Sequence, residues 1–341
     1  MLPKKSLLIL SILVFIASML GGCSDTQTQS IPVSKAEKFP EKPITVIVPF
    51  SVGGGLDLTA RSLEKLATKY LGQPLIITNR PGGAGTIGWN ELAASNPDGY
   101  TIGITAPDMV LLPLYGSSKY NYPTALSPIA QVSAAPSILV IQNDQPWQNL
   151  NDLIAYAKKH PGELKFGHGG LGSFPHIVSE MFGQSANISI EQVPFNGAGE
   201  VTAALLGGHI QLAFINPVVI KEQIRTGTVR GLAVTGEKRL EDPALQHIPT
   251  CKEQGLDLVV KNWFGIAVPK ETPPAIKNKI SEKFKALIDD PEFKKNMIAV
   301  GLTIEYLGPE ESQTKWLADS QQLSNTLQTS GVLEKIKAQR K

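Results

Sequence analysis

Ser173 and His176 lie three residues apart in the segment His168-Gly169-Gly170-Leu171-Gly172-Ser173-Phe174-Pro175-His176. A serine beside a histidine is the pairing from which hydrolytic nucleophiles are made. The surroundings are not the G-x-S-x-G of a nucleophile elbow, and no acid partner can be assigned. A serine at a helix N-cap, a proline in the first turn and a histidine lining a cleft make the more economical reading. A surface hydrolase using Ser173 and His176 is kept as an alternative.

Other chemistries find less support. Histidines stand at 160, 168, 176, 209 and 247, without the close spacing of metal ligands, so no metal is expected. Cys23 and Cys251 are the two cysteines and form no metal-binding pair. Cys251 is expected to be a small, partly buried hydrophobe. Gly83, Gly85 and Gly88 satisfy G-x-G-x-x-G, with Asp108 twenty residues beyond Gly88. That is the spacing of a dinucleotide fingerprint, and alone it is weak. A complete strand–helix unit already precedes it, and its own helix is short before Asn96-Pro97. No cofactor is expected.

The glycine loops suit capture better than chemistry. Pro49-Phe50-Ser51-Val52-Gly53-Gly54-Gly55-Leu56-Asp57 joins a strand to a helix. Its glycines let backbone N–H groups approach a ligand, and the helix points its positive end at the same place. Such a loop holds a carboxylate or a phosphate without a charged side chain. Asp57 fits a role at the helix start rather than contact with an anion. The loop at His168 to His176 repeats this design.

These loops need a scaffold of strands and helices. Ile44-Thr45-Val46-Ile47-Val48 is an apolar, β-branched run, as in a buried strand. Leu56, Ala60, Leu63, Ala67 and Tyr70 then recur at helical spacing up to Gly72. Further strands are read at 75–77, 101–105, 138–141, 164–167, 190–194, 212–215, 232–235 and 264–268. Helices are read at 150–159, 175–182, 198–206 and 218–226. Near the C-terminus Ile276, Ile280, Phe284 and Leu287 share one helical face. The alternation predicts an α/β protein with largely parallel sheets. Trp263 and Phe264 are read as core aromatics that could also face a cleft.

The N-terminus is an address. Lys4 and Lys5 precede the uncharged run Ser6 to Leu20, which ends in Leu20-Gly21-Gly22-Cys23. This is a secretory signal peptide with a lipoprotein-type end, so Cys23 is the expected lipidation site. Residues 23–39 are polar and read as a tether. Residues 1–22 hold two lysines and no acid, so the remainder balances at 30 basic and 30 acidic groups. Bulk charge therefore offers nothing to nucleic acid.

Several stretches together resemble the substrate-binding proteins of tripartite tricarboxylate transporters, the Bug family. They are Pro43 to Phe50 with Gly53-Gly54-Gly55 and Asp57; Leu71-Gly72-Gln73-Pro74; Asn79-Arg80-Pro81-Gly82; Pro97-Asp98-Gly99-Tyr100-Thr101; Leu205-Leu206-Gly207-Gly208; Leu232-Ala233-Val234-Thr235; and Trp263-Phe264-Gly265. The resemblance implies a two-lobed fold of the periplasmic-binding-protein type (type II), with a ligand cleft between lobes. Lobe one would be 40–140 plus 265–341 and lobe two 141–264. Crossing strands are expected near 129–141 and 264–268. The implied ligand contacts are Phe50, Ser51, Gly53, Gly54, Ala106, Gly169, Gly172, Ser173, His176, Phe195, Asn196 and Asn216.

The implied function is an exported, lipid-anchored receptor, monomeric, that hands a small organic acid to membrane subunits. A sensory co-receptor presenting its ligand to a signalling kinase is the other alternative. Two departures from the family bear on the ligand. Pro194-Phe195-Asn196-Gly197 stands where the family often has Pro-Tyr-Lys-Gly. Ile215, followed by Asn216, stands where many members have aspartate. An aspartate could pair with a ligand ammonium, and Ile215 cannot. The expected ligand is therefore a di- or tricarboxylate or an aromatic acid, rather than an amino acid.

Overall fold

The computed structural model describes residues 38–116, 118–299 and 301–339. The signal peptide, Cys23 and the tether up to residue 37 lie outside the described residues. No helix among the described residues is long and apolar enough to cross a membrane.

Strands and helices alternate from the start. β1 (Ile44–Val48), α1 (Gly55–Leu71), β2 (Leu75–Asn79), α2 (Thr86–Ala94), β3 (Thr101–Thr105) and the short α3 (Asp108–Leu111) come first. Then β4 (Leu126–Pro136) runs almost directly into β5 (Ile138–Gln142). α4 (Leu150–Lys159), β6 (Lys165–His168), α5 (Phe174–Ala186), β7 (Glu191–Pro194), α6 (Ala198–Leu206), β8 (Leu212–Ile215), α7 (Pro217–Arg225) and β9 (Val229–Val234) follow. The chain ends in β10 (Lys261–Pro269), α8 (Pro274–Asp289), α9 (Pro291–Ala299), β11 (Ile304–Leu307), α10 (Pro309–Thr329) and α11 (Val332–Gln339).

The local reasons are those expected of the residues. β1 is a β-branched run with four of its five residues buried. α1 buries Leu56, Ala60, Leu63 and Ala67 on one stripe and stops at Gly72, whose left-handed backbone donates its N–H to Thr68 O. α8 buries Ile276, Ile280, Phe284 and Leu287.

Two sheets result. The first has the order β11-β4-β10-β3-β1-β2, the second β7-β6-β8-β5-β9. They are mixed rather than largely parallel. β1 pairs in parallel with β2 and β3, and β6 with β7 and β8. β10 is antiparallel to β3 and β4, and β5 is antiparallel to β8 and β9. The reason is topological. A strand that arrives from one sheet and heads out into the other runs against neighbours built by local strand–helix–strand crossovers.

The expected single crossing near 129–141 is two strands meeting at Ser137. β4 and β10 stay paired from Leu126↔Pro269 to Pro136↔Lys261. The first sheet therefore gives up the chain after Pro136 and regains it at Lys261, about four residues ahead of each expected boundary. One buried side chain ties the two passages. Thr235 Oγ1 accepts the Ser137 N–H at 2.9 Å and donates to Val260 O at 2.8 Å. The Thr235 N–H and the Val260 N–H close the knot on Ser137 O and Thr235 O.

Candidate functional site

Loops carried by the two sheets meet. The Ser51 N–H donates to Asn196 O at 3.1 Å, and the Phe174 N–H donates to Asp108 Oδ1 at 2.8 Å. Between them lies a cavity of about 50 Å³. The first sheet's elements line it with Phe50, Gly54, Gly55, Leu56, Asp108, Asn262 and Phe264. The second contributes His168, Gly169, Pro175, Gly197, Ala198, Val201, Phe214, Ile215 and Asn216, with Ser137 at the crossing. An outer groove of about 440 Å³ is lined by Gly83, Ala84, Gly170, Leu171, Phe195 and Asn196. A larger groove of about 590 Å³, with Trp147, Tyr156, Lys165 and His209, belongs to the second sheet's side alone.

The cavity's polarity comes from backbone. Gly54 and Gly197 are the N-caps of α1 and α6, and the first residues of both helices line the cavity. The leading N–H groups of a helix have no intrahelical acceptor, so two positive helix ends face one space. The close approach depends on glycine. A Cβ on Gly55 would stand 2.6 Å from the Phe264 ring, and one on Gly199 would stand 2.3 Å from Val52 O.

This pair of helices differs from the expected one, α1 with α5. The first N–H of α5 and those of the turn before it are already engaged, and Pro175 has none. Ser173 N–H donates to Gly170 O, Phe174 N–H to Asp108, and Gly172 N–H to His176 Nδ1 at 2.9 Å. α6, with Gly197 and Ala198 on the cavity, is a helix end the sequence reading did not single out.

Asp57 works at the helix start, as its type suggested. It accepts the Gly53 N–H at 2.9 Å, the Arg61 Nε–H at 2.9 Å and an Asn79 Nδ2–H at 3.0 Å. Burial alone would raise its pKa; the Arg61, Gly53 and Asn79 bonds outweigh that and hold it below the ordinary value. Asn79 also donates to Phe50 O, so the loop is braced from behind.

Of the twelve expected contacts, Phe50, Gly54, Gly169 and Asn216 line the cavity. Phe195 and Asn196 line the outer groove instead. Gly53 spends its N–H on Asp57, and Ser51 spends its own on Asn196. Ala106 is fully buried without lining the cavity. Gly172, Ser173 and His176 form the α5 turn behind it. Ser173 holds the N-cap position, but its hydroxyl makes no cap hydrogen bond.

The Ser173 and His176 side chains are not hydrogen-bonded to each other. His176 Nδ1 accepts the Gly172 N–H, so its proton sits on Nε2, 3.6 Å from Glu180 Oε1. Ser173 Oγ makes no hydrogen bond to either nitrogen. Glu180 is itself buried, and α11 reaches it with Lys335 Nζ at 2.5 Å and Gln339 Nε2 at 3.2 Å. Burial opposes its ionisation, yet the His176, Lys335 and Gln339 bonds win and bring its pKa down to about 2.

Residues missed at the cavity have a common character. His168, Asp108 and Phe264 stand in segments singled out for other reasons, while Ser137 and Asn262 stand on the crossings and carry no local signal. His168 is buried against the His176 ring, with centroids 4.4 Å apart, and burial pushes its pKa down to about 3. Phe264 and Trp263 divide the two roles offered for them. Adjacent strand residues face opposite ways, so Phe264 lines the cavity while Trp263 donates to Asp319 at 2.8 Å in the core. Gly88 packs against Pro49, where a Cβ would stand 2.8 Å from Pro49 Cα, so it serves helix–strand packing. Cys251 is a free, buried thiol whose pKa burial pushes up to about 12, as for an inert packing residue.

The comparisons with known proteins point one way. The model of the family described as "Tripartite tricarboxylate transporter family receptor" matches residues 59–330. The protein BugT of Bordetella pertussis is 36% identical over 250 residues, covering 72% of this chain and 76% of its own. The structure of the periplasmic binding protein BugD superposes with a TM-score of 0.82 at 29% identity, over 86% of this chain and 99% of that one. The structure of R. palustris Rpa4515 with adipate gives a TM-score of 0.81 at 28% identity, over 86% and 98%.

Proposed function

The chain belongs to the tripartite tricarboxylate transporter family of receptors, and from that premise we propose that it captures a small organic acid outside the cytoplasmic membrane for a transporter's membrane subunits. The observation that carries the ligand's charge is the meeting of the α1 and α6 N-termini at one buried cavity. A carboxylate there takes backbone N–H groups and needs no basic side chain. The adipate in a structural relative is an acid of the same kind.

The proposed mechanism is closure of two lobes, one on each sheet, about the Thr235 knot. Closure removes water and strengthens the hydrogen bonds to the ligand. The closed face is then what the membrane subunits read. The reading involves no turnover, in keeping with Ser173 Oγ and His176 making no hydrogen bond to each other.

Thermal unfolding of the purified chain with mono-, di- and tricarboxylates, aromatic acids and amino acids tests this. A ligand at 100 times its Kd should add about 2.7 kcal/mol, seen as a clear rise in midpoint. A flat response across the whole panel would defeat the reading. We further propose that Cys23 is lipidated and holds the receptor to the outer face of the membrane, on the strength of the Leu20-Gly21-Gly22-Cys23 ending. Cys23→Ser should move the chain from the membrane fraction to the soluble one. If it stays with the membrane, the anchor lies elsewhere.

A further inference from the structure

The cavity contains a charge that a carboxylate ligand alone does not explain. Asp108 is 3% exposed and lines the cavity. Its hydrogen-bond donors are backbone groups, the Phe174 N–H from the facing α5, which meets Oδ1, and its own N–H. No lysine or arginine lines the cavity, and no cation acts on Asp108 among the described residues. Burial pushes its pKa up to about 6, and the same surroundings push His168 down to about 3, so the cavity's one imidazole brings no positive charge at neutral pH.

A buried carboxylate without a cation is strongly disfavoured unless something arrives to pair with it. A di- or tricarboxylate would bring further negative charge into the same small space. A ligand with one carboxylate for the α1 and α6 N–H groups and one ammonium for Asp108 satisfies both features. The unpartnered Nδ2 of Asn216, whose Oδ1 accepts the Val218 N–H, adds a donor to the cavity lining.

We propose that Asp108 sets the ligand class: the acid held in this cavity carries an amino nitrogen, whose protonated form lies against the Asp108 carboxylate. The proposal rests on the receptor reading and deepens it. It stands against the di- or tricarboxylate expectation drawn from Ile215, and the titration below separates the two. The acidic partner missing after β8 is supplied from the other side of the cavity, by the turn after β3.

Calorimetric titration of the full chain at pH 7.5 with matched pairs tests it. The pairs are alanine and propionate, aspartate and succinate, glutamate and glutarate, and phenylalanine and 3-phenylpropionate, with malate added. In the pair that binds, the amino member should bind at least tenfold more tightly. Asp108→Asn keeps an oxygen for the Phe174 N–H and removes the charge, so it should shrink that ratio to near one or reverse it. Asp108→Ser provides a second uncharged variant. A succinate, glutarate, propionate or phenylpropionate that binds the unsubstituted chain as well as its amino counterpart overturns the proposal and leaves the receptor reading standing. Malate matching aspartate does the same, since a hydroxyl would then suffice. Silence from every compound overturns both.

Discussion

Gly199→Ala should leave the ligand-free chain folded and weaken ligand binding by tenfold or more. Gly199 lies in the first turn of α6, and the Cβ it lacks would stand 2.3 Å from the Val52 carbonyl oxygen on the opposite loop. That atom is backbone, so no side-chain rotation relieves the clash. The backbone at Gly199 is not in the left-handed region, and within α6 alone alanine is the better helix former by about 1 kcal/mol. The conflict is therefore confined to the meeting of the two sides. The unfolding midpoint without ligand should hold or rise slightly, while the affinity falls by at least about 1.4 kcal/mol. Small-angle scattering adds a second view, because ligand should compact the parent chain and not the variant. An unchanged Kd in Gly199→Ala would mean that the α1 and α6 loops do not come together in the bound state.

Acid should act on this protein through two buried groups of opposite sign. His168 has its pKa pushed down to about 3 from 6.5 by burial and by its neighbour His176. Its contribution is whole above pH 6.5 and is lost as the pH falls toward 3, at about 1.4 kcal/mol per pH unit. Asp108 has its pKa pushed up to about 6 from 3.8 by burial. Its contribution is whole below pH 3.8 and is lost as the pH rises through 6. Between about pH 6 and 4 the two slopes oppose each other and nearly cancel. Urea unfolding of the ligand-free chain at pH 7, 5.5 and 4 should accordingly show little change from this pair. Asp108→Asn should expose the histidine and lose about 3 kcal/mol between pH 6.5 and 4. His168→Gln should expose the aspartate and gain about 2 kcal/mol between pH 6 and 4. Three parallel curves would show that neither group titrates as its burial demands.

What the residues announce locally and what they do not divides on physical lines. Ile44–Val48 and Leu212–Ile215 are short apolar strands, legible because burial on both faces leaves Thr45 as their one polar residue. Leu150–Lys159 and Ala198–Leu206 are legible because a helix repeats its buried side every three or four residues. β4, with Pro128, Gln131, Ser133 and Pro136, has no such pattern. It is a strand because β10 and β11 pair with it, and Gln131 and Ser133 are satisfied inside the fold or buried against it. The candidate site divides in the same way. A glycine loop before a helix can be recognised from composition, so the α1 turn was within reach. Which N–H groups remain free cannot, because that depends on where distant acceptors fall. Asp57 takes one at Gly53, and Asp108 takes one at Phe174 from 66 residues away. The second of these engages the first N–H of α5.

The order in which strands pair has a consequence for how the chain must be made. The second sheet draws on residues 138–234 without interruption and can be completed as soon as they exist. The first cannot. β10 sits between β3 and β4, so those two strands are neighbours of a strand that begins at Lys261. Until then each presents an open edge, the kind of surface on which chains aggregate. A nascent chain therefore builds its later-starting sheet first and its earlier-starting sheet last, with β3 and β4 exposed through the synthesis of more than a hundred intervening residues.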